Sequence, residues 1–243
     1  MMEYLQKSVI VSGLIVLLIL LSGVAIAQQG SEEVKPVVVA TVNGEKITEQ
    51  ELFRASQLQS IVMTLYQQHR SFYQFLVTTE EGGKLLEEYR NYVLDGLIDQ
   101  QLMRQKAEEE GIEVPEQDIQ AQVDQIVESS QEFEDREDLE EYLEENQKLS
   151  LQSLKSSIER DLKVQKLQQE VVEKVSVNEE EIETFYQENK ENYTDQEGNP
   201  SQLAEVEDQI QDILLSKKQN EAVSKWLQEM REEADITKNP EKL

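Results

Sequence analysis

The sequence has no cysteine and only one histidine, His69. Without thiols the chain forms neither disulfide bonds nor thiolate metal sites, and it offers no cysteine for a lipid anchor. A structural zinc site draws its ligands mainly from cysteine and histidine, so this class of site is excluded as well. We therefore expect no metal and no cofactor, and stability must come from packing.

Positive charge is also scarce. The chain has 23 Lys and Arg residues against 51 Asp and Glu residues, which gives a formal net charge of -28 and a pI of about 4.3. Such a surface repels nucleic acid and anionic lipid headgroups. Two interpretations of the acidity remain open. It keeps the protein soluble, for example in a saline habitat where salt screens the repulsion, or it attracts basic polypeptides.

The N-terminal segment has the features of an export signal. Lys7 precedes an apolar run over residues 9–21, and Ala25-Ile26-Ala27 then gives the small-x-small pattern that signal peptidase accepts. The pattern predicts a signal peptide over residues 1–27. A membrane span needs ~20 apolar residues, and the run extended to Ala27 comes close, so an uncleaved anchor is the alternative. Both interpretations place the protein in the periplasm or at the outer face of the cytoplasmic membrane.

Hydrophobic periodicity predicts a mainly α-helical chain. Apolar residues recur at spacings of three and four, which is the pattern of helices with one buried face. Gly82-Gly83 and Gly111 indicate helix breaks, and Pro115 indicates a helix start. The last predicted helix is too long for one small core, and its apolar residues form two groups, so we expect two contact surfaces. The predicted helices cover residues 49–77, 84–110, 115–128, 139–143, 151–173, 179–192 and 202–233.

A short β segment precedes the first helix. The β-branched run at residues 37–42 is followed by Asn43-Gly44, a strong signal for a tight turn between strands. Thr48 and Glu51 then have the spacing of a capping box, in which each side chain satisfies a backbone amide at a helix start. Asn178 and Glu181 repeat this spacing before the helix predicted over residues 179–192. The chain is therefore predicted to enter its helical part directly from a strand.

Three landmarks occur in order along the chain: VATVNGEKIT at residues 39–48, VNEEEIETFY at residues 177–186, and Ala234-Asp235-Ile236 after the last predicted helix. Together they resemble the chaperone core of the SurA and PrsA exported foldases. The resemblance implies a SurA-like helical chaperone domain over residues 28–243 with a long C-terminal helix. It also implies a small two-stranded β ribbon that pairs residues 37–42 with the segment around residues 235–237.

In these families a parvulin prolyl-isomerase domain is commonly inserted between the second and third landmarks. Only residues 194–200 lie there in this chain, whereas a catalytic domain needs on the order of 100 residues. The segment therefore predicts a tether. A parvulin-like site is expected to use a pair of histidines, and His69 is alone. We predict that the parvulin domain is lacking and that the chain is not an enzyme.

The resemblance then implies an ATP-independent chaperone that binds unfolded or nascent exported polypeptides through an apolar cradle. Nucleic acid is not an expected partner, and a membrane is expected only through an uncleaved N-terminal segment. The alternative is an envelope structural or adaptor protein that pairs its long helices with one fixed partner.

A surface of flexible methionine and aromatic side chains suits the binding of varied clients. The aromatic residues of the first predicted helix are too dense for one helix face to bury them all. They are either the core of the hairpin over residues 49–110 or part of the client cradle. We expect Phe72 or Phe75 to be structural and Tyr73 to face the client, because a tyrosine hydroxyl can stay hydrated. The client-binding candidates are Met63, Tyr66, Phe72, Tyr73, Phe75 and Leu76.

Overall fold

The computed structural model describes residues 36–130, 132–194, 201–239 and 241. The predicted signal peptide, residues 1–27, and all of the predicted tether except Thr194 lie outside the described residues. Signal cleavage and the tether therefore stay predictions. Within the described ranges, no helix combines the length and the apolar character that crossing a membrane requires.

The β segments form a small antiparallel sheet that joins residues near the start of the described structure to residues near its end. Its strands are β1 (Val38–Val42), β2 (Glu45–Thr48) and β3 (Ile236–Lys238), in the order β2-β1-β3. In the β1–β3 pair, Val42 lies opposite Ile236 and Ala40 opposite Lys238. The predicted pairing of the N- and C-terminal segments is confirmed. The sheet has three strands instead of two, because the chain also folds back on β1 after the Asn43-Gly44 turn.

Asn43 joins this turn to two other parts of the chain. Its φ of 50° and the φ of 85° at Gly44 are left-handed, as the tight turn requires. Its backbone N–H donates to the Asp235 carbonyl at 2.9 Å, and its Oδ1 accepts from the Asp235 N–H at 2.9 Å. Its amide nitrogen donates to Gln105 Oε1 at 2.8 Å. The turn therefore fixes the C-terminal strand and a central helix together.

The rest of the described chain is mostly helical, and several helices begin at the predicted caps. Thr48 and Glu51 form the expected capping box, and so do Asn178 and Glu181. A π-helical turn covers Leu143–Gln147, and a 3₁₀ turn covers Lys190–Asn192. The helices are α1 (Glu49–Ser56), α2 (Leu58–Gln68), α3 (Arg70–Thr78), α4 (Glu80–Glu109), α5 (Glu116–Ser129), α6 (Arg136–Tyr142), α7 (Leu151–Val172), α8 (Glu179–Asn189) and α9 (Leu203–Glu233).

The first predicted helix, residues 49–77, is in fact three helices. Gln57 adopts a left-handed conformation with φ 49° between α1 and α2. His69 breaks the chain again between α2 and α3, with φ −134° and ψ 57°. Neither position has the glycine or proline that signals a break in a sequence.

Gly82-Gly83 does not break a helix, contrary to the prediction. The break lies at Thr79, and both glycines belong to the first turns of α4. Gly82 is buried where α3 and α4 approach closely, and a Cβ atom there would lie 2.4 Å from the Phe75 carbonyl oxygen. Its lack of a side chain allows this contact. The predicted end of the helix near Gly111 is confirmed, and the φ of Gly111 is +66°.

Within the described residues, the buried apolar side chains form three cores. One joins the sheet to α1 and α4, the second lies among α5, α6 and α7, and the third joins α8 to the first half of α9. Ile210 of α9 is buried in the third core, while Met230 near the other end of α9 packs on the first. The two predicted contact surfaces of this helix are thus confirmed. The mainly α-helical fold with its long C-terminal helix agrees with the expected class.

Candidate client-binding surface

Helix α2 is rich in apolar residues, and none of its residues is buried. Its principal neighbour is α3, which in turn packs on the first turns of α4. Leu58, Val62 and Leu65 of α2 are half-buried, and Ile61, Met63 and Tyr66 are exposed. Because so little of this apolar helix is buried by the rest of the protein, its surface remains available to contact another chain.

Four of the six predicted client-binding residues are exposed on α2 and α3. Their exposed fractions are 54% for Met63, 46% for Tyr66, 47% for Phe72 and 40% for Phe75. We call these four side chains the aromatic patch. Leu76, in contrast, is only 6% exposed and belongs to the interior of the hairpin. The prediction that Leu76 contacts clients does not fit this position.

The aromatic rings pack in two pairs. Tyr66 of α2 and Tyr73 of α3 meet edge to face, with ring centroids 5.2 Å apart. Phe72 and Phe75 are one helical turn apart on α3, so they share a face, and their rings stack at 6.1 Å. The Arg70 guanidinium lies 5.5 Å from the Tyr66 ring centroid, in cation–π range.

The exposure of these rings is the reverse of the expected one. Tyr73 is half-buried because it points from α3 towards α2, where it contacts Tyr66. Phe72 and Phe75 lie on another face of α3 and stay exposed. Neither phenylalanine is core, so the hairpin does not bury the whole cluster.

The charge around the patch differs from that of the rest of the chain. No Asp or Glu occurs between Glu51 and Glu80, and the only Lys or Arg residues in that interval are Arg54 and Arg70. This acid-free interval contains α2 and α3 entirely. It could have been found in the sequence, because acidic residues recur closely along most of the chain after residue 31.

Other exposed apolar residues on the same helices were missed by the sequence reasoning. Among the large apolar side chains exposed in the described parts of the chain, only Val37 and Ile213 lie outside α1 to α4. The additional exposed residues on these helices are Phe53, Ile61, Val77, Leu85 and Tyr92. The hairpin of α1 to α4 is therefore the main apolar surface of the described structure.

Specific contacts hold the patch in place. The Tyr89 hydroxyl of α4 donates to the Ser56 carbonyl at 2.8 Å, which fixes the end of α1 beside α4. The Thr79 hydroxyl accepts from the Gly82 N–H at 3.0 Å and donates to the Phe75 carbonyl at 2.7 Å. These bonds set the angle between α3 and α4 and therefore the direction in which Phe75 points.

His69 has a structural position at the break between α2 and α3. Its side chain is exposed. Its backbone N–H donates to the Leu65 carbonyl at 2.8 Å, and its carbonyl accepts from the backbone N–H of Tyr73 at 3.0 Å. The break brings Tyr66 and Tyr73 together. Among the described residues, no group of three or more His, Asp or Glu side chains is arranged to hold a metal ion.

Two family models match the chain. One, described as SurA-like N-terminal domain, matches residues 1–168. The other, described as PPIC-type PPIASE domain, matches residues 177–242. In the structure the second match spans α8, α9 and β3.

The second match corrects the sequence analysis. The prediction that the prolyl-isomerase domain is lacking is wrong, because residues 177–242 match that domain. The prediction that the chain is not an enzyme is overturned by the same match. The error arose because residues 177–186 and 234–236 were assigned to the chaperone core, so that only an insertion between them was considered as an isomerase.

Curated relatives are foldases. The foldase protein PrsA of Clostridium botulinum is 23% identical over 159 residues, which are 65% of this chain and 46% of the relative. The foldase protein PrsA of Clostridium kluyveri is 27% identical over 184 residues, or 72% of this chain and 52% of the relative. The chain thus spans about half the length of these relatives.

A solved structure has a similar fold. It comes from a study of the virulence factor PEB4 and the periplasmic protein Cj1289, described as two structurally related SurA-like chaperones of Campylobacter jejuni. The TM-score is 0.50 at 10% identity, over 84% of this chain and 99% of the other. At this identity the likeness establishes the fold alone.

Proposed function

Because the chain belongs to the family with a SurA-like N-terminal domain, we propose that it is an exported chaperone that binds unfolded polypeptides without ATP. The observation that carries the proposal is the aromatic patch on α2 and α3, with Phe72 and Phe75 both exposed. The chaperone acts in the periplasm or at the outer face of the cytoplasmic membrane, to which the predicted signal over residues 1–27 directs it.

The size of the patch suits reversible binding. A fully covered aromatic side chain buries about 150–250 Å². A client that covers the exposed halves of Tyr66, Phe72 and Phe75 therefore removes roughly 200–350 Å² of apolar surface from water, a gain of about 5–9 kcal/mol at ~25 cal/mol per Å². Association itself costs at least about 4 kcal/mol. The net affinity is weak, so a client is held and released without an energy source.

The acidic surface makes such a patch compatible with solubility. A net charge of -28 produces repulsion between copies of the chain, which opposes pairing of their apolar patches. The acid-free interval contains the aromatic patch, and most of the exposed large apolar residues in the described structure lie on the one hairpin of α1 to α4. A client without this charge meets no comparable barrier.

Aggregation suppression by point variants tests this function. The variant combining Phe72→Ala and Phe75→Ala should protect an unfolding substrate much less than the parent protein. Because both side chains are exposed, its free energy of unfolding should stay within about 1 kcal/mol of the parent value. Tyr92→Ala is the matched control, since it removes an exposed aromatic ring of α4 outside the patch. Full suppression by the folded double variant would overturn the proposal.

A second function, peptidyl-prolyl isomerisation, is favoured by the match of residues 177–242. The protein should then accelerate the cis–trans exchange of a proline peptide, which takes tens to hundreds of seconds without a catalyst. His69→Ala should leave this rate unchanged, because His69 lies outside the matched residues. Exchange at the uncatalysed rate would refute the isomerase function and leave the chaperone function standing.

A further inference from the structure

Acidic side chains of α4 border the aromatic patch of α2 and α3. Gly82 packs directly on the backbone of Phe75 and Leu76, so the first turns of α4 adjoin the end of α3 that carries Phe75. The exposed carboxylates at the start of α4 are Glu80 and Glu81, and those of Glu87 and Glu88 follow roughly 8–9 Å further along the helix axis from Gly82. The surface next to Phe75 therefore changes from acid-free to acidic within a few residues.

Most of this negative charge is not neutralised. Glu80 is paired with Lys84 at 2.6 Å. Glu81, Glu87 and Glu88 form no ion pair with any residue in the described part of the chain. On the patch itself, the one cation is Arg70, which lies over the Tyr66 ring. Positive charge is thus held at Tyr66, and three carboxylates without an ion pair in the described structure lie on α4.

We propose that the patch selects polypeptide segments in which an apolar, aromatic-containing run is flanked by Lys or Arg. This inference rests on the proposed chaperone function and specifies its client class. The apolar run covers Phe72 and Phe75, and the basic flank reaches the carboxylates of Glu81, Glu87 and Glu88. A segment with acidic flanks meets like charges at the same place.

The range of the interaction follows from salt screening. The Debye length is about 8 Å at physiological ionic strength. Carboxylates on the α4 turns that adjoin Phe75 therefore act on a client, whereas acidic residues on distant helices contribute little. Charges at the rim of an interface act mainly on the association rate and on the choice of partner. The apolar contact supplies the affinity, and the acidic border supplies the preference for basic flanks.

Peptides with one common core test the inference. Three labelled peptides share an apolar run with two aromatic residues and differ only in their flanks, which are two lysines, two serines or two glutamates at each end. The lysine peptide should bind at least about tenfold more tightly than the glutamate peptide at ~50 mM salt, and the two affinities should converge at ~500 mM salt, where the Debye length falls to ~4 Å.

Variants with equal changes in net charge distinguish the effect of the α4 carboxylates from the effect of the protein's overall charge. The triple change Glu81→Gln, Glu87→Gln and Glu88→Gln should abolish most of the preference for lysine flanks and leave binding of the serine peptide unchanged. A control triple change of exposed α6 and π-turn residues, Glu140→Gln, Glu141→Gln and Glu144→Gln, alters net charge equally and should keep the preference. Equal effects of the two triples would refute the role of the α4 border.

The same peptides distinguish failure of this inference from failure of the proposed function. If the parent protein binds all three peptides equally at low salt, the charge preference is refuted and the chaperone function stands. If the serine peptide does not bind, or binds equally to the variant combining Phe72→Ala and Phe75→Ala, the patch is not the client site and both proposals fail.

Discussion

Asp95 and Asp161 have pKa values shifted in opposite directions. Burial tends to raise the pKa of Asp95, but hydrogen bonds and charge from Lys238 and Arg231, at 2.7 and 3.1 Å, outweigh this effect and lower it. Burial raises the pKa of Asp161, and the charges of Arg160 and Arg104 offset only part of the rise. The first carboxylate is paired across α4, α9 and β3, whereas the second is desolvated on α7.

These directions give a prediction for the pH dependence of stability. The lowered pKa means that Asp95 stabilises the folded state above its unfolded pKa of about 3.9, and that this contribution is lost as pH falls through the lower, folded value. At neutral pH, Asp95→Asn should reduce the free energy of unfolding by about 1 kcal/mol, as for a partly exposed charge network. The difference from the parent should shrink below pH ~4 in urea titrations.

Asp161→Asn is the contrasting variant for the same titrations. When a carboxyl group has a raised pKa in the folded state, its ionisation at neutral pH lowers the free energy of unfolding. The amide removes this cost, so the variant should be more stable than the parent at neutral pH. The gain should fade as pH drops through the folded pKa of Asp161 towards the unfolded value. A loss of stability at neutral pH in both variants would show that Asp161 forms a favourable ion pair instead.

At the scale of single elements, local signals predicted helix starts well. Thr48 with Glu51 and Asn178 with Glu181 satisfy backbone amides within four residues, so neither needs the rest of the fold. The breaks within residues 49–77 depend on tertiary contacts instead. The chain ends α1 where Tyr89 of α4 holds the Ser56 carbonyl, and no local pattern announces that bond.

The candidate site shows the same limit. The density of aromatic residues in the sequence correctly indicated that one helix face could not bury them all. Which rings are exposed depends on how α3 turns against α2 after the break at His69. Since that break was not predicted, Tyr73 was expected outside and is half-buried against Tyr66 instead.

The contact of α3 with α4 gives a prediction at this scale. Gly82→Ala should lower the melting temperature by several degrees, because the new methyl group would lie 2.4 Å from the Phe75 carbonyl and 2.5 Å from Leu76 Cα. Gly83→Ala is the matched control, since no atom lies within 4 Å of a Cβ atom there. Because that helical position is exposed, alanine there should raise the free energy of unfolding by about 0.5–1 kcal/mol.

Thermal melts of both variants decide the point. Because Gly82 sets the approach of α3, folded Gly82→Ala protein should also bind peptides at the patch more weakly, whereas Gly83→Ala protein should bind them normally. Equal melting temperatures for the two variants would contradict the close packing of α3 on α4.

At the scale of the whole molecule, helix α9 connects the third core to the core around the sheet. At 1.5 Å per residue its 31 residues span about 46 Å, and about 30 Å of this length separates Ile210 in the third core from Met230 on the sheet core. Arg231 near its end donates to Asp99 at 2.5 Å and to Asp95 at 3.1 Å on α4. The sequence predicted both contact surfaces, because two groups of apolar residues are visible along the helix.

The assignment of residues 177–242 could not be made from short motifs. Their amphipathic pattern and their capping box at Asn178 are compatible with any packed helical segment, so they do not identify a domain. The family match uses the whole segment. Local patterns thus predicted the helices of this segment and not the domain to which they belong.

Truncation after Glu233 tests how the chain's end contributes to the whole. It removes β3, the paired bonds between Asp235 and Asn43, and the Lys238 ion pair with Asp95. The melting temperature should fall by several degrees, since the lost strand is worth at least ~1 kcal/mol. Amide exchange along β1 should accelerate, because β1 would become an edge strand on that side.

Lys238→Ala, which removes only the ion pair, is the control: it should lower the melting temperature less and leave the amide exchange of β1 slow. Below its melting temperature the truncated protein should still bind peptides, because α2 and α3, which carry the aromatic patch, have no extensive contact with β3 in the described structure. An unchanged melting temperature would contradict the stabilising role of the β1–β3 pair, and loss of peptide binding by the folded truncated protein would contradict the assignment of that binding to the hairpin.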